Sequence, residues 1–245
     1  MPISRSAGIA CAIKRSQRRR ASLAILFDVD NTLLDNDRVR QDLEKSLAAE
    51  VGRRKSTRYW KLFEKLREHL GYADYLGALQ WYRREYPHEL HLLKLARLLL
   101  EYPFQDRLFP GALQAIRRAQ TLGFTGLLSD GDVVFQPRKI QRSGLLEAVK
   151  RNVLIYVHKE RELKDVQRRV RARHYVLVDD KIRILSAVKK IWKSRITTVF
   201  VRQGHYALDK ELVAKFPKAD VTIENIRDFV KLSRPVLEGT EHPRL

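Results

Sequence analysis

The chain reads as an α/β protein, a doubly wound parallel sheet that carries an inserted all-helical segment. Three observations predict this. Short apolar runs without polar alternation recur along the chain, as expected of strands covered on both faces in a parallel sheet. Helical stretches separate most of these runs from one another, the pattern of consecutive βαβ units. From about residue 37 to residue 103 the alternation stops, and leucines and aromatics recur at helical spacing instead.

Taken in order, residues 1–21 contain Arg5, Lys14, Arg15 and Arg18–Arg20 with no acid. Their only apolar stretch, Ile9 to Ile13, is shorter than the hydrophobic region of a signal peptide. The composition also suits an organellar transit peptide, but the expectation adopted is a disordered basic tail. Ser22 to Phe27 is the first strand, and it runs straight into Asp28-Val29-Asp30-Asn31-Thr32. The insertion, 37–103, shows helical pairs such as Leu43 with Leu47 and Phe63 with Leu66 and Leu70. Pro103, Pro110 and Gly111 mark the return to the main domain, residues 22–36 and 104–235. Further strands are expected at Phe124 to Ser129, Val153 to Val157, Tyr175 to Val178, Ile196 to Val201 and Asp220 to Ile223. Helices are expected at Gly111 to Gln120, Pro137 to Val149, Glu160 to Arg171, Ile182 to Lys193 and Glu224 to Leu232. Residues 236–245 read as a C-terminal tail.

A chain of 245 residues with 44% hydrophobic and 32% charged residues can bury a sizeable core, which excludes disordered, collagenous and low-complexity classes. Its apolar runs fall far short of the roughly 20 residues of a membrane span. One cysteine, Cys11, can make neither an internal disulfide nor a Cys-based zinc site, so a reducing, cytoplasmic setting is expected. The 49 basic and 29 acidic residues give a net charge of +20. From Arg151 to Phe200 alone, fourteen Lys or Arg stand against five acids. Such a balance attracts anions, although solvated helix faces account for most of it.

Ligands of open parallel sheets sit outside the carboxyl ends of the strands. Asp28 and Asp30 follow the first strand, Ser129 ends the second, Lys159 lies just beyond the third, and Asp179 with Asp180 follows the fourth. Any one of these is ordinarily a loop residue or helix cap. Together they bring four carboxylates, a hydroxyl and an ammonium into one crevice. Carboxylates so crowded repel unless a cation shares them, and hard oxygen ligands suit Mg²⁺.

In order and approximate spacing, Asp28-Val29-Asp30-Asn31-Thr32, Ser129-Asp130-Gly131, Lys159 and Asp179-Asp180 resemble the four motifs of the haloacid dehalogenase-like superfamily. The resemblance covers about residues 22–232. It implies a Rossmann-like core, with the insertion lying where many members carry a cap domain. It also implies that Asp28 is the nucleophile that forms an aspartyl-phosphate and that Asp30 is the acid and base, its backbone carbonyl facing the metal. Ser129 and the amide of Asp130 would bind the phosphoryl group, and Lys159 would neutralise charge. Asp180 would ligate Mg²⁺ together with Asp28, with Asp179 as a second acidic ligand. Dehalogenating members lack the second carboxylate, because a halide leaves without a proton; Asp30 therefore favours phosphoryl chemistry. The chain departs from the family at Lys181, where small residues are common, at Ile184, where many members keep an acid, and at Glu160, where proline is frequent. Lys164 rivals Lys159, but Lys159 follows the strand directly.

The function expected is a Mg²⁺-dependent phosphatase acting on a small phosphorylated metabolite. A phosphomutase would use the same residues with another acceptor. A nucleic-acid-binding protein on the same fold is the reading of a different class. The basic stretch from 159 to 173 lacks the interleaved aromatics that single-strand binding uses, and a pure binder has no need of two repelling carboxylates. Trp81-Tyr82-Arg83-Arg84 in the insertion and Gln136-Pro137-Arg138-Lys139 beyond Ser129 are the stretches weighed for substrate contact. Packing is the ordinary reading of the first. His88 and His91 have no third partner for zinc.

Overall fold

Alternate residues of the first strand, β1 (Ala21–Phe27), enter two different apolar clusters: Leu23, Ile25 and Phe27 on one face, Ala24 and Leu26 on the other. A side-chain period of two makes this the signature of a central strand covered on both sides. In the computed structural model, which describes residues 20–241, five more strands join it: β2 (Phe124–Asp130), β3 (Val153–Tyr156), β4 (Ala172–Asp179), β5 (Ile196–Val201) and β6 (Val221–Ile223). The sheet order is β3-β2-β1-β4-β5-β6, with every pair parallel. The chain winds outward from β1 in both directions, so the order reverses between β1 and β4.

Residues 36–100 form four helices, α1 (Asn36–Val51), α2 (Arg53–Leu70), α3 (Tyr75–Glu85) and α4 (Leu92–Leu100). Asp35 caps α1 by accepting the Arg38 N–H at 2.9 Å. The break before α2 falls at Gly52, whose φ of 81° costs a glycine little. Leu43, Leu47, Phe63 and Leu66 are buried, as their spacing predicts, while Leu70 is half-buried; Tyr59, Tyr82, Leu95 and Leu99 are buried as well. Trp60 packs edge-on against Tyr59 and Phe63.

Helices α5 (Ala112–Leu122), α6 (Phe135–Arg142), α7 (Leu145–Ala148), α8 (Leu163–Arg169), α9 (Ile182–Trp192), α10 (His205–Leu208), α11 (Lys210–Ala214) and α12 (Arg234–Leu237) complete the core. Some boundaries differ from expectation. The helix expected over 137–149 is two helices, because Gly144 takes a φ of 79° and turns the chain. Lys159–Arg161 is a 3₁₀ turn ahead of α8, and Ile226–Lys231 is likewise 3₁₀. The C-terminal tail expected from residue 236 begins later. Val236 and Leu237, in α12, are buried against the core, and only residues 242–245 lie outside the described residues. At the other end, residues 1–19 of the expected basic tail lie outside the described residues, while Arg20 Nε already donates to the Ala172 carbonyl at 3.0 Å. No helix among the described residues is long and apolar enough to cross a membrane.

Candidate functional site

The reversal of strand order opens a crevice at the carboxyl ends of β1, β2 and β4, and the sequence-predicted residues meet there. Asp28 leaves β1 buried, its N–H bonded to the Val178 carbonyl at 2.8 Å. Asn31, with φ 57°, then turns the chain sharply. Its Oδ1 accepts the N–H groups of Asn36 and Asp37 at 3.0 and 3.2 Å, so the loop closes onto the start of α1.

Lys159 is fully buried at the centre. Its Nζ lies 2.5 Å from Asp28 Oδ1 and 2.6 Å from Asp179 Oδ2, and it also donates to the Leu128 carbonyl at 3.3 Å. Burial works against its charge, but Asp179, Asp28 and Asp130 outweigh that cost and hold the ammonium above its ordinary range. Lys164, the rival, is exposed on α8. Asp130 Oδ1 accepts the Lys159 N–H at 2.7 Å, and burial pushes the Asp130 carboxyl up to about 6.

Ser129 is buried, and its Oγ accepts from Gln136 Nε2 at 2.9 Å. Three residues further along α6, Lys139 is also buried. Its Nζ donates to Asp30 Oδ1 at 2.7 Å and to Asn36 Oδ1 at 2.8 Å. One helix therefore holds both Ser129 and Asp30. Of the 136–139 stretch weighed for substrate contact, Gln136 and Lys139 thus orient site residues, whereas Arg138 turns to the Leu100 carbonyl.

The remaining acids leave carboxylate oxygens buried without partners. Asp28 Oδ2 and both carboxylate oxygens of Asp180 are buried without a hydrogen-bond partner. Asp28, Asp179 and Asp180 each present an oxygen within 4.8 Å of the others. Burial raises Asp179 and, more strongly, Asp180, with Lys159 and Lys181 opposing. Orphaned buried carboxylate oxygens cost free energy unless a cation completes them. When all are ionised, Asp28, Asp30, Asp130, Asp179 and Asp180 exceed Lys139, Lys159 and Lys181 by two negative charges. All-oxygen ligands with that deficit fit a hard divalent cation. The backbone N–H of Asp180 bonds to Thr32 Oγ1 at 3.0 Å, which ties this acidic pair to the loop that carries Asp30.

A cavity of about 430 Å³ leads from the crevice to the helical insertion. Asp30, Lys139 and Lys181 line it from the core, and Arg40, Arg67 and Tyr72 from the insertion. Trp81 to Arg84 do not: Tyr82 is core, and Arg83 and Arg84 are exposed on α3. The segment Gln203–Tyr206 escaped the sequence reading because it matches no chemical motif. The buried Gln203, two residues past the end of β5, donates to the Thr32 carbonyl at 2.9 Å, a contact that no local pattern announces.

The model of the haloacid dehalogenase-like hydrolase family matches residues 23–191. Among solved structures, a haloacid dehalogenase-like hydrolase from Burkholderia xenovorans LB400 is 56% identical, with 86% of this chain and 99% of that one covered and a TM-score of 0.83. L-2-haloacid dehalogenase from Xanthobacter autotrophicus, with chloropropionic acid covalently bound, is 16% identical over 85% of this chain and 96% of that one, with a TM-score of 0.55. A magnesium-bound hydrolase from Bacillus subtilis is 15% identical over 87% and 98%, with a TM-score of 0.58. The last two share the fold. No curated protein matches the chain significantly.

Proposed function

Because the chain belongs to the haloacid dehalogenase-like hydrolase family, we propose that it is a Mg²⁺-dependent phosphatase that hydrolyses a small organic phosphate through an aspartyl-phosphate on Asp28. The observation that carries this reading is Asp30. Its carboxylate lines the cavity two residues beyond the buried Asp28 and is aimed by the buried Lys139. A leaving alkoxide needs a proton, and a halide does not.

The Asp28 carboxylate attacks phosphorus while the ester P–O bond breaks. Protonated Asp30 gives its proton to the departing alkoxide. In the second half, Asp30 takes a proton from water, the hydroxide oxygen bonds to phosphorus, and the Asp28–phosphorus bond breaks to release inorganic phosphate. Ser129, fixed by Gln136, donates to the phosphoryl oxygens, and Lys159 balances charge on Asp28 throughout. Asp28, Asp179 and Asp180 would hold the metal, which when bound screens the repulsion between nucleophile and phosphate. The helical insertion, joined to the core right after Asp30, would act as a cap that excludes bulk water.

Asp30→Asn is expected to lower turnover of alkyl phosphates by roughly 10²- to 10⁴-fold and of an aryl phosphate far less, since a phenolate departs without proton help. Equal losses on both esters would remove Asp30 from the acid and base role. EDTA is expected to reduce hydrolysis of a phosphomonoester panel to background, and added Mg²⁺ to restore it. Activity untouched by chelation would overturn the metal assignment.

A further inference from the structure

One ammonium in the cavity is left over by this chemistry. Lys139 and Lys159 are each spent on carboxylates. Lys181 is not: its backbone N–H donates to Asp179 Oδ1 at 2.8 Å, but among the described residues its side-chain Nζ makes neither an ion pair nor a hydrogen bond. Instead it lines the cavity with its Nζ 5.3 Å from the centroid of the Tyr206 ring.

Tyr206 is a prepared surface. Its hydroxyl accepts from Arg67 Nη1 of the insertion at 3.1 Å, and its ring rests against His205 at 3.9 Å. His205 is in turn bonded to Asp37 through its backbone N–H at 2.8 Å and its Nδ1 at 2.6 Å. Behind it, Gln203 Oε1 accepts the Ile226 N–H at 3.0 Å while its amide holds the Thr32 carbonyl. Gly204 sits at φ 77°, where a Cβ would lie 2.4 Å from Asn31 Cβ. Only glycine lets the segment press so closely on the loop that carries Asp28 and Asp30. Tyr206 is thereby locked to the nucleophile loop from one side and to α2 from the other. Against the cost of burial, Asp180 and Asp28 hold the Lys181 charge from beyond ion-pair distance, so a rigid aromatic face beneath an ammonium with no carboxylate in direct contact is preorganised for an anion. Arg67, whose Nη2 pairs with Glu64 at 2.7 Å, stands beside it as a second cation.

We infer that Lys181, backed by Tyr206 and Arg67, receives a second anionic group on the leaving-group side of the substrate, so that the substrate class is the phosphomonoesters of alcohols bearing a carboxylate or a further phosphate. The inference rests on the phosphatase reading for the word substrate, but the subsite itself can be tested by binding alone. Titration calorimetry at saturating Mg²⁺ compares propylphosphonate, 3-phosphonopropionate and propane-1,3-diphosphonate, with homologues one methylene shorter and longer. The C–P bond resists hydrolysis, so each probe reports affinity only. The wild type is expected to bind at least one doubly anionic probe about tenfold or more tighter than its alkyl counterpart, equivalent to about 1.4 kcal/mol. Which probe gains more tells a carboxylate from a phosphate. Lys181→Met, and Lys181→Gln should the first variant fold poorly, should each erase the preference. Equal binding of the probes by the wild type, or a preference that survives both substitutions, would overturn the subsite. A Lys181-dependent preference in a protein that hydrolyses no phosphomonoester would keep the subsite and overturn the phosphatase reading instead.

Discussion

Asp28→Asn is expected to leave a folded protein whose kcat/KM on phosphomonoesters has fallen by about 10⁴-fold or more, the scale on which loss of a nucleophile is felt when the rest of a site persists. An amide is nearly isosteric with the carboxylate but a poor nucleophile. Lys159 donates to Asp28 Oδ1 while Oδ2 accepts no hydrogen bond, so the substitution touches chemistry before it touches packing. The Lys159 ammonium still has Asp179 at 2.6 Å, and an asparagine Oδ1 can still accept from it. Circular dichroism and thermal unfolding should therefore look like the wild type. Near-normal turnover, with carry-over of wild-type enzyme excluded, would end the covalent mechanism.

Lys159→Met is expected to have the largest effect on stability. It removes the buried cation that pairs with both Asp28 and Asp179 and leaves the two carboxylates buried without it. Breaking a buried ion pair from one side costs about 3–5 kcal/mol. For a chain of this size that is a fall in Tm of about 6–20 °C at neutral pH. Asp179 is already raised by burial, so acid should protonate it and narrow the gap between variant and wild type. The double variant Lys159→Met, Asp179→Asn removes charge of both signs and should recover part of the loss, a coupling that a double-mutant cycle measures. A Tm within 2 °C or so of wild type would mean that Lys159 is not the electrostatic keystone of the crevice.

The sheet was legible because its strands are short apolar runs whose two faces are both buried, a pattern that depends on neighbours in sequence. The ends of those strands announced Asp28, Ser129, Lys159 and Asp180 for the same reason: polarity changes abruptly where the sheet stops. What local pattern could not show is pairing across the chain. Lys139 reaches Asp30 over a separation of 109 residues, through the angle at which α6 leaves β2. In the sequence it stands out only as part of the Gln136–Lys139 stretch beyond Ser129, with nothing to show its pairing with Asp30. Gln203 and Gly204 are in the same position, since their reason is the close approach of the Asn31 loop, which follows β1 on the other side of β4. The helix expected over 137–149 failed at Gly144, where turn geometry overrode a periodicity that continued across it. The Trp81 to Arg84 stretch carried stacking and charge in its composition, yet α3 turns it away from the cavity.

The central claim is that phosphate passes through Asp28. Rapid acid quench during turnover of a ³²P-labelled phosphomonoester, followed by peptide mapping, tests it most directly. The account predicts a transient, hydroxylamine-labile phosphoryl group on the peptide that contains Asp28, formed at least as fast as steady-state turnover and absent from Asp28→Asn. Turnover with no labelled protein at any time, or label on a peptide without Asp28, would contradict it.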